Sequence, residues 1–166
     1  MSEFREMRRK RQLLSDEESI GILKNATAGT LALLGDNDYP YAVPISYVYH
    51  ERKLYFHSAL AGHKVDAIRN CDKASFCVID KDDVQPEKYT TFFRSVIAFG
   101  TVEAVEDEAE KLRTLRLLGR HFAPGNTEEE LQAEVAHGIR RLIMFRLRIE
   151  HLTGKEGIEL VKRRQG

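Results

Sequence analysis

The segment Tyr41-Ala-Val-Pro-Ile-Ser-Tyr-Val-Tyr-His50 constrains this chain most, because its side chains alternate by size. In an extended strand Tyr41, Val43, Ile45, Tyr47 and Tyr49 share one face, while Ala42, Pro44, Ser46 and Val48 share the other. The bulky face demands a core, and the small face leaves room for a flat ligand to approach the backbone. Pro44 has no N–H to give to a ladder, so the strand is expected at a sheet edge or bulged near its middle. A plain hairpin strand bent by its proline satisfies the pattern equally.

The flanks extend this strand into a meander. Gly29-Thr-Leu-Ala-Leu-Leu34 reads as a buried strand ended by the turn Gly35-Asp-Asn-Asp38. After His50 the polar turn Glu51-Arg-Lys53 leads into Leu54-Tyr-Phe-His57, so three antiparallel strands come in succession. Upstream, Ser15-Asp-Glu-Glu18 is a capping box that opens a helix to about Asn25, with Ile20, Leu23 and Ile22 as its buried face. Downstream, Lys73–Asp80 is a further strand, Lys81–Tyr89 a polar loop, and Thr90–Val105 the longest strand, with Gly100 as a bulge. Phe93, Ser95, Ile97 and Phe99 share one face of it; Arg94, Val96, Ala98, Val102 and Ala104 share the other. A helix from Glu106, burying Leu112, Leu115, Leu117 and Leu118, is broken by Pro124-Gly125, and Thr127-Glu-Glu-Glu130 caps another. Arg141–His151 alternates strictly, Ile143, Phe145, Leu147 and Ile149 inward and Met144, Arg146, Arg148 and Glu150 outward; the tail from Thr153 reads as irregular.

These elements predict a mainly β fold with peripheral helices, a six-stranded antiparallel barrel, closed or split. At 166 residues with 42% hydrophobic content, one domain over residues 1–166 suffices. Twenty-six basic residues offset twenty-six acidic ones, which removes any global electrostatic case for nucleic acid or an anionic membrane. The start, Met1 to Arg11, lacks an apolar signal core and no later segment has the apolar length of a membrane span, so a cytoplasmic protein is expected. Arg8-Arg-Lys-Arg11 reads as a solvated arm or as a docking element for a partner subunit. Cys71 and Cys77 fit neither a disulfide framework nor zinc spacing, and no metal site is expected.

Chemistry gathers in one stretch. Between the strand at Leu54 and a helix over Lys64–Asn70 runs a loop with His57, Ser58, His63 and Lys64, and Gly62 permits its tight turn. Free N–H groups at the helix start favour an anion such as a phosphate, and a lysine with hydroxyl and imidazole donors adds charge-assisted hydrogen bonds. The stretch is neither a P-loop nor a dinucleotide fingerprint, and spacing alone also fits an ordinary strand-loop-helix with exposed polar residues. No nucleophile-base pair or acidic dyad identifies a catalytic residue.

The ordered set Met7-Arg-Arg-Lys10, Tyr39–Tyr49, Tyr55-Phe-His-Ser-Ala59, Gly62-His-Lys64, Ser75-Phe-Cys-Val78 and Arg94–Gly100 resembles the nitroimidazole-resistance family. That family belongs to the pyridoxamine 5'-phosphate oxidase-like FMN-binding split barrels, and the likeness spans roughly residues 5 to 155. The resemblance implies FMN at the interface of a homodimer. It implies that Lys64, with Ser58 and His57 or His63, holds the phosphate, and that Val43, Pro44, Ile45, Ser46 and Tyr47 run beside the isoalloxazine ring. Arg94 and Ser95 match the long-strand motif near the flavin. Phe92 and Phe93 stand where relatives often carry Tyr, and the Arg-rich terminal motif of true pyridoxamine-phosphate oxidases is absent. Reductase chemistry therefore ranks above vitamin B6 oxidation. The implied activity is hydride transfer from NAD(P)H to FMN and onward to a nitro compound or another small oxidised molecule. The alternatives are an FMN-binding module without turnover, and a split barrel using haem or a deazaflavin, for which His57, His63 or Arg94 could be recruited.

Overall fold

The computed structural model describes residues 4–166. The first three residues of the expected domain lie outside the described residues. Among the described residues seven strands form one antiparallel sheet: β1 (Ala28–Leu34), β2 (Pro40–Ser46), β3 (Val48–His50), β4 (Lys53–Ser58), β5 (Lys73–Gln85), β6 (Thr90–Ala104) and β7 (Ile143–Glu156). Five α-helices surround it: α1 (Asp16–Asn25), α2 (His63–Asn70), α3 (Glu108–Phe122), α4 (Glu128–Gly138) and α5 (Ile158–Gln165).

The strand order β2-β1-β5-β6-β7-β4-β3 explains the architecture. β2 and β3 stand at opposite ends of that order, yet only Tyr47 separates them in the chain. The sheet must therefore curl until its two edges meet, and the segment expected as one strand is shared between them. Tyr47 fixes the seam. Its side chain is fully buried, its N–H donates to the Thr27 carbonyl at 3.1 Å, and its hydroxyl donates to the Leu23 carbonyl at 2.7 Å.

Alternation sorts the side chains as read from the sequence. Tyr41, Val43, Ile45 and Tyr49 pack on the barrel interior with the fully buried Leu31, Leu54, Phe56, Phe76, Val78, Val96 and Leu147. Each such side chain contributes about 1.5–3 kcal/mol of burial. Ala42, Pro44 and Ser46 remain exposed on the outer face, and β2 is indeed an edge strand. The register shifts between Phe99 and Gly100, the expected bulge, because a Cβ at Gly100 would overlap the Arg148 carbonyl. Ser15 and Thr127 cap α1 and α4 by reciprocal bonds with Glu18 and Glu130.

Several expectations need correction. The polar loop from Lys81 is strand as far as Gln85, paired with β6 beyond a register shift at Ile79/Lys81. The tail is not irregular: β7 runs to Glu156, paired with β6, and α5 follows. Glu156 is completely buried yet ion-paired with Arg94 at 3.3 Å and with Arg164, so charge pairing replaces the apolar alternation that marks strands elsewhere. Met144, expected outward, is buried, because α3 and α4 cover that part of the outer face. Leu112 is exposed, since Leu115 and Leu118 occupy the inward stripe of α3. Among the described residues no helix is long and apolar enough to cross a membrane.

Candidate functional site

The expected site residues fall into two separate groups. His57 and Ser58 end β4, and the chain turns at Gly62, whose φ of 136° only glycine adopts without strain, to enter α2. The first bond inside α2 runs from the Asp66 N–H to the Gly62 carbonyl, so the amides of His63, Lys64 and Val65 precede it. Val65 and Ile68 anchor the helix in the core. Lys64 is partly buried, has no acidic partner among the described residues, and is held below the usual lysine range by burial. His57, although exposed at the end of β4, is pushed below its ordinary 6.5, first by partial desolvation and then by the Lys64 ammonium, so its imidazole is neutral near pH 7. Ser58 is buried beside them in sequence.

His63 is engaged elsewhere. Its ring stacks on Tyr41 with centroids 4.0 Å apart, and its Nε2 lies 3.9 Å from Asp36 in the β1–β2 turn. Of the two histidines offered by the sequence, His57 is the one that feels the Lys64 charge. On β2 only Pro44 and Ser46 among the expected residues turn side chains outward; Val43, Ile45 and Tyr47 face the core and offer a ligand their backbone alone.

Ser46 and His57 meet at a cavity of about 300 Å³ beneath the α3–α4 pair. Leu115, Leu118, Phe122, Leu131, Val135 and Leu142 wall it, and Glu134 stands at its edge. The sequence reading had taken the α3 leucines simply as core. The sequence offers no separate signal for the cavity: Gly119 stands where a Cβ would come 2.5 Å from Leu131 Cδ1, which is ordinary close helix packing.

Arg94 and Ser95 form the second group and do not join the first within one chain. On β7 the partner of Ser58 is Ile143 and the partner of Arg94 is Glu156, which separates the groups by roughly 40 Å along the strand. Arg94 pairs with Asp80 at 3.4 Å and Glu156 at 3.3 Å, and its buried Nε has no partner. Ser95 shares the outer face of β5–β6 with Ile79, Val84 and Ile97. Ile79 and Val84 are 68% and 62% exposed, an unpartnered apolar sheet face.

The profile of the pyridoxamine 5'-phosphate oxidase family matches residues 15–156. No curated protein sequence matches the chain. Among solved structures, a putative 5-nitroimidazole antibiotic resistance protein from Bacteroides thetaiotaomicron superposes with a TM-score of 0.72 at 21% identity, covering 87% of this chain and 86% of that one. The conserved protein Rv2991 from Mycobacterium tuberculosis gives 0.78 at 18%, covering 91% and 90%. A FAD- and haem-binding protein from Mycobacterium smegmatis gives 0.70 at 22%, covering 94% and 80%. At these identities the superpositions speak for the fold, and the profile match over most of the sequence speaks for descent: the chain belongs to the pyridoxamine 5'-phosphate oxidase family and is built on its split β-barrel.

Proposed function

We propose that this protein is an FMN-dependent oxidoreductase that takes a hydride from NAD(P)H and reduces a small oxidised molecule. The observation that carries the reading is Lys64: a partly buried ammonium without a carboxylate partner, at the start of α2, beside a neutral imidazole and a serine. A phosphate there would relieve the cost of burying that charge and accept from the first amides of the helix. Lys64, Ser58 and His57 would hold the phosphate, and the exposed strip of Ala42, Pro44 and Ser46 would bed the ring. The flavin supplies the redox chemistry; the chain binds it, orients it and excludes water.

Haem is the less favoured ligand. His57 offers a neutral imidazole, and a structural relative is named for haem as well as FAD. However, no lysine or arginine lines the cavity that His57 faces, and Glu134 edges it, which opposes a ligand with two carboxylates.

The working form is a homodimer. The apolar outer face of β5–β6 carries Ser95, and a second copy seated there would cover Ile79, Val84 and Ile97 and bring its own Arg94–Ser95 strand toward the flavin. Sedimentation should give a dimer, and Ile79→Asp with Ile97→Asp should give a folded monomer with weakened FMN binding. A flavin-loaded monomer would refute the arrangement.

The decisive test of the cofactor reading is titration of apo-protein with FMN and with riboflavin. A charge-assisted hydrogen bond to a desolvated anion contributes on the order of 2–3 kcal/mol, so Lys64→Ala should bind FMN roughly thirty- to a hundred-fold more weakly while riboflavin binding stays unchanged. Equal FMN affinity in the variant would remove the phosphate from this loop. Bleaching of the yellow protein by NADH or NADPH then separates an enzyme from a flavin carrier.

A further inference from the structure

We infer that the cavity beneath α3 and α4 is a binding site for an uncharged, ring-sized apolar molecule bearing a hydrogen-bonding oxygen, and that it discriminates against anionic analogues. Three observations carry this. The first is volume: about 300 Å³ lies at the small end of ligand pockets, enough for one or two fused rings and too little for a large cofactor.

The second is the division of the walls. Six apolar side chains from α3, α4 and the residue just before β7 form one side, and Ser46 and His57 of the barrel form the other. Protein interiors ordinarily fill such a space, since each void forfeits dispersion contacts. Here Gly119 lets α4 close on α3, since a Cβ there would come 2.5 Å from Leu131 Cδ1, and the space remains beside that contact. His57 is neutral, so it presents one N–H donor and one acceptor nitrogen, and the Ser46 hydroxyl can do either. A carbonyl-type oxygen on a flat ring matches that wall.

The third is charge. The only ionic residue lining the cavity is Glu134, which is exposed and has no ion pair among the described residues. An unneutralised carboxylate at the edge of an apolar space repels anions and leaves neutral molecules untouched. Because Ser46 also belongs to the strip assigned to the flavin ring and His57 to the group assigned to its phosphate, the occupant lies against the flavin and is the second substrate of the proposed reductase; that assignment of role rests on the flavin reading, whereas the binding preference does not.

The experiment uses two probes that share one ring system: uncharged N-phenyl-1-naphthylamine and its sulfonated counterpart 1-anilinonaphthalene-8-sulfonate. Fluorescence titration of the full chain, with and without saturating FMN, should show the uncharged probe binding at least tenfold more tightly in both conditions. Glu134→Gln, a surface change that leaves the fold intact, should shrink that ratio several-fold. Gly138→Leu, at a lining glycine whose added Cβ would meet only the Leu142 side chain at 3.8 Å, with folding checked by circular dichroism, should abolish binding of the uncharged probe. Equal affinity for the two probes, an unchanged ratio in Glu134→Gln, or complete displacement by FMN would each overturn the inference, the last by making the cavity part of the flavin's own bed. Failure of FMN to bind while the uncharged probe still does would sink the cofactor reading and leave this one standing.

Discussion

Replacing Tyr47 by Phe removes one oxygen atom from the point where the barrel closes. The Leu23 carbonyl belongs to the last turn of α1, where the final bond of the helix region runs from the Ala26 N–H to the Ile22 carbonyl. Carbonyls beyond that point need a partner from outside the helix, and the Tyr47 hydroxyl supplies it at 2.7 Å. Leu23 and Tyr47 are both fully buried, so water cannot take over the role. The ring itself stays, edge-on to Phe76 with centroids 4.9 Å apart, and little apolar area changes. The cost is thus that of leaving a buried acceptor unsatisfied, about 1–3 kcal/mol. For a chain of this length each kcal/mol moves Tm by about 2–4 °C, so a fall of about 2–12 °C is expected, with a lower urea midpoint and an unchanged slope. Burial also raises the Tyr47 hydroxyl pKa well above its ordinary range, so the parent should show no phenolate from this residue until it unfolds in alkali. A Tyr47→Phe variant as stable as its parent would mean that the hydroxyl bond does not secure the seam.

Two further perturbations test other parts of the structure. Gly100→Ala drives a Cβ into the Arg148 backbone, which cannot rotate aside, and should cost roughly 3 kcal/mol by urea unfolding; Gly125→Ala, with nothing near its added methyl, is the near-neutral control, and equal stability of the two would refute the packing at the bulge. His57 has a folded-state pKa below its unfolded 6.5, so between those values the unfolded chain binds more protons and stability falls as pH drops through that window. His57→Gln should flatten the loss of stability on acidification from about pH 7 to about pH 5, and a variant whose pH profile parallels the parent's would show that the imidazole is not desolvated in the folded chain.

The sequence revealed faces better than it revealed edges. The alternation in Tyr41–His50 was readable because a barrel strand has one face in the core and one outside, and burial follows that parity. The exchange of hydrogen-bonding partners at Tyr47 was not, because the chain stays extended and the parity continues through the residue. The stretch from Thr153 to Glu156 looked like a tail since Thr153 and Gly154 are followed by two charges. Its strand character comes from contacts a local pattern does not contain: Gly154 sits where a Cβ would press on Ser19 and Leu14, and Glu156 is neutralised by arginines from β6 and α5. The candidate site divides in the same way. The loop from His57 to Lys64 is contiguous in sequence, and in the fold His63 turns away to Tyr41 and Asp36 while the Lys64 charge is felt at His57. Arg94 and Ser95 lie far along the sheet, and the cavity under α3–α4 is built from residues whose apolar spacing is that of any packed helix pair.

Stability and binding meet at the seam. Ser46 is the last residue of β2, at one end of the strand order, and His57 lies on β4, next to the strand at the other end. They line one cavity only because the sheet has closed, so the barrel's closure is also what creates the wall on which a ligand would rest. A ligand that touches both strands binds the closed form and not the open one, and it must stabilise closure by as much free energy as closure lends to its binding. Tyr47 stands directly between Ser46 and β3, and its hydroxyl ties that junction to the end of α1. Loosening it should therefore weaken the uncharged probe in proportion to the population of open barrel. Lys64 is anchored through α2 by Val65 and Ile68 in the core rather than through the seam, so the phosphate contact proposed for it should be unchanged in any Tyr47→Phe molecule that remains closed.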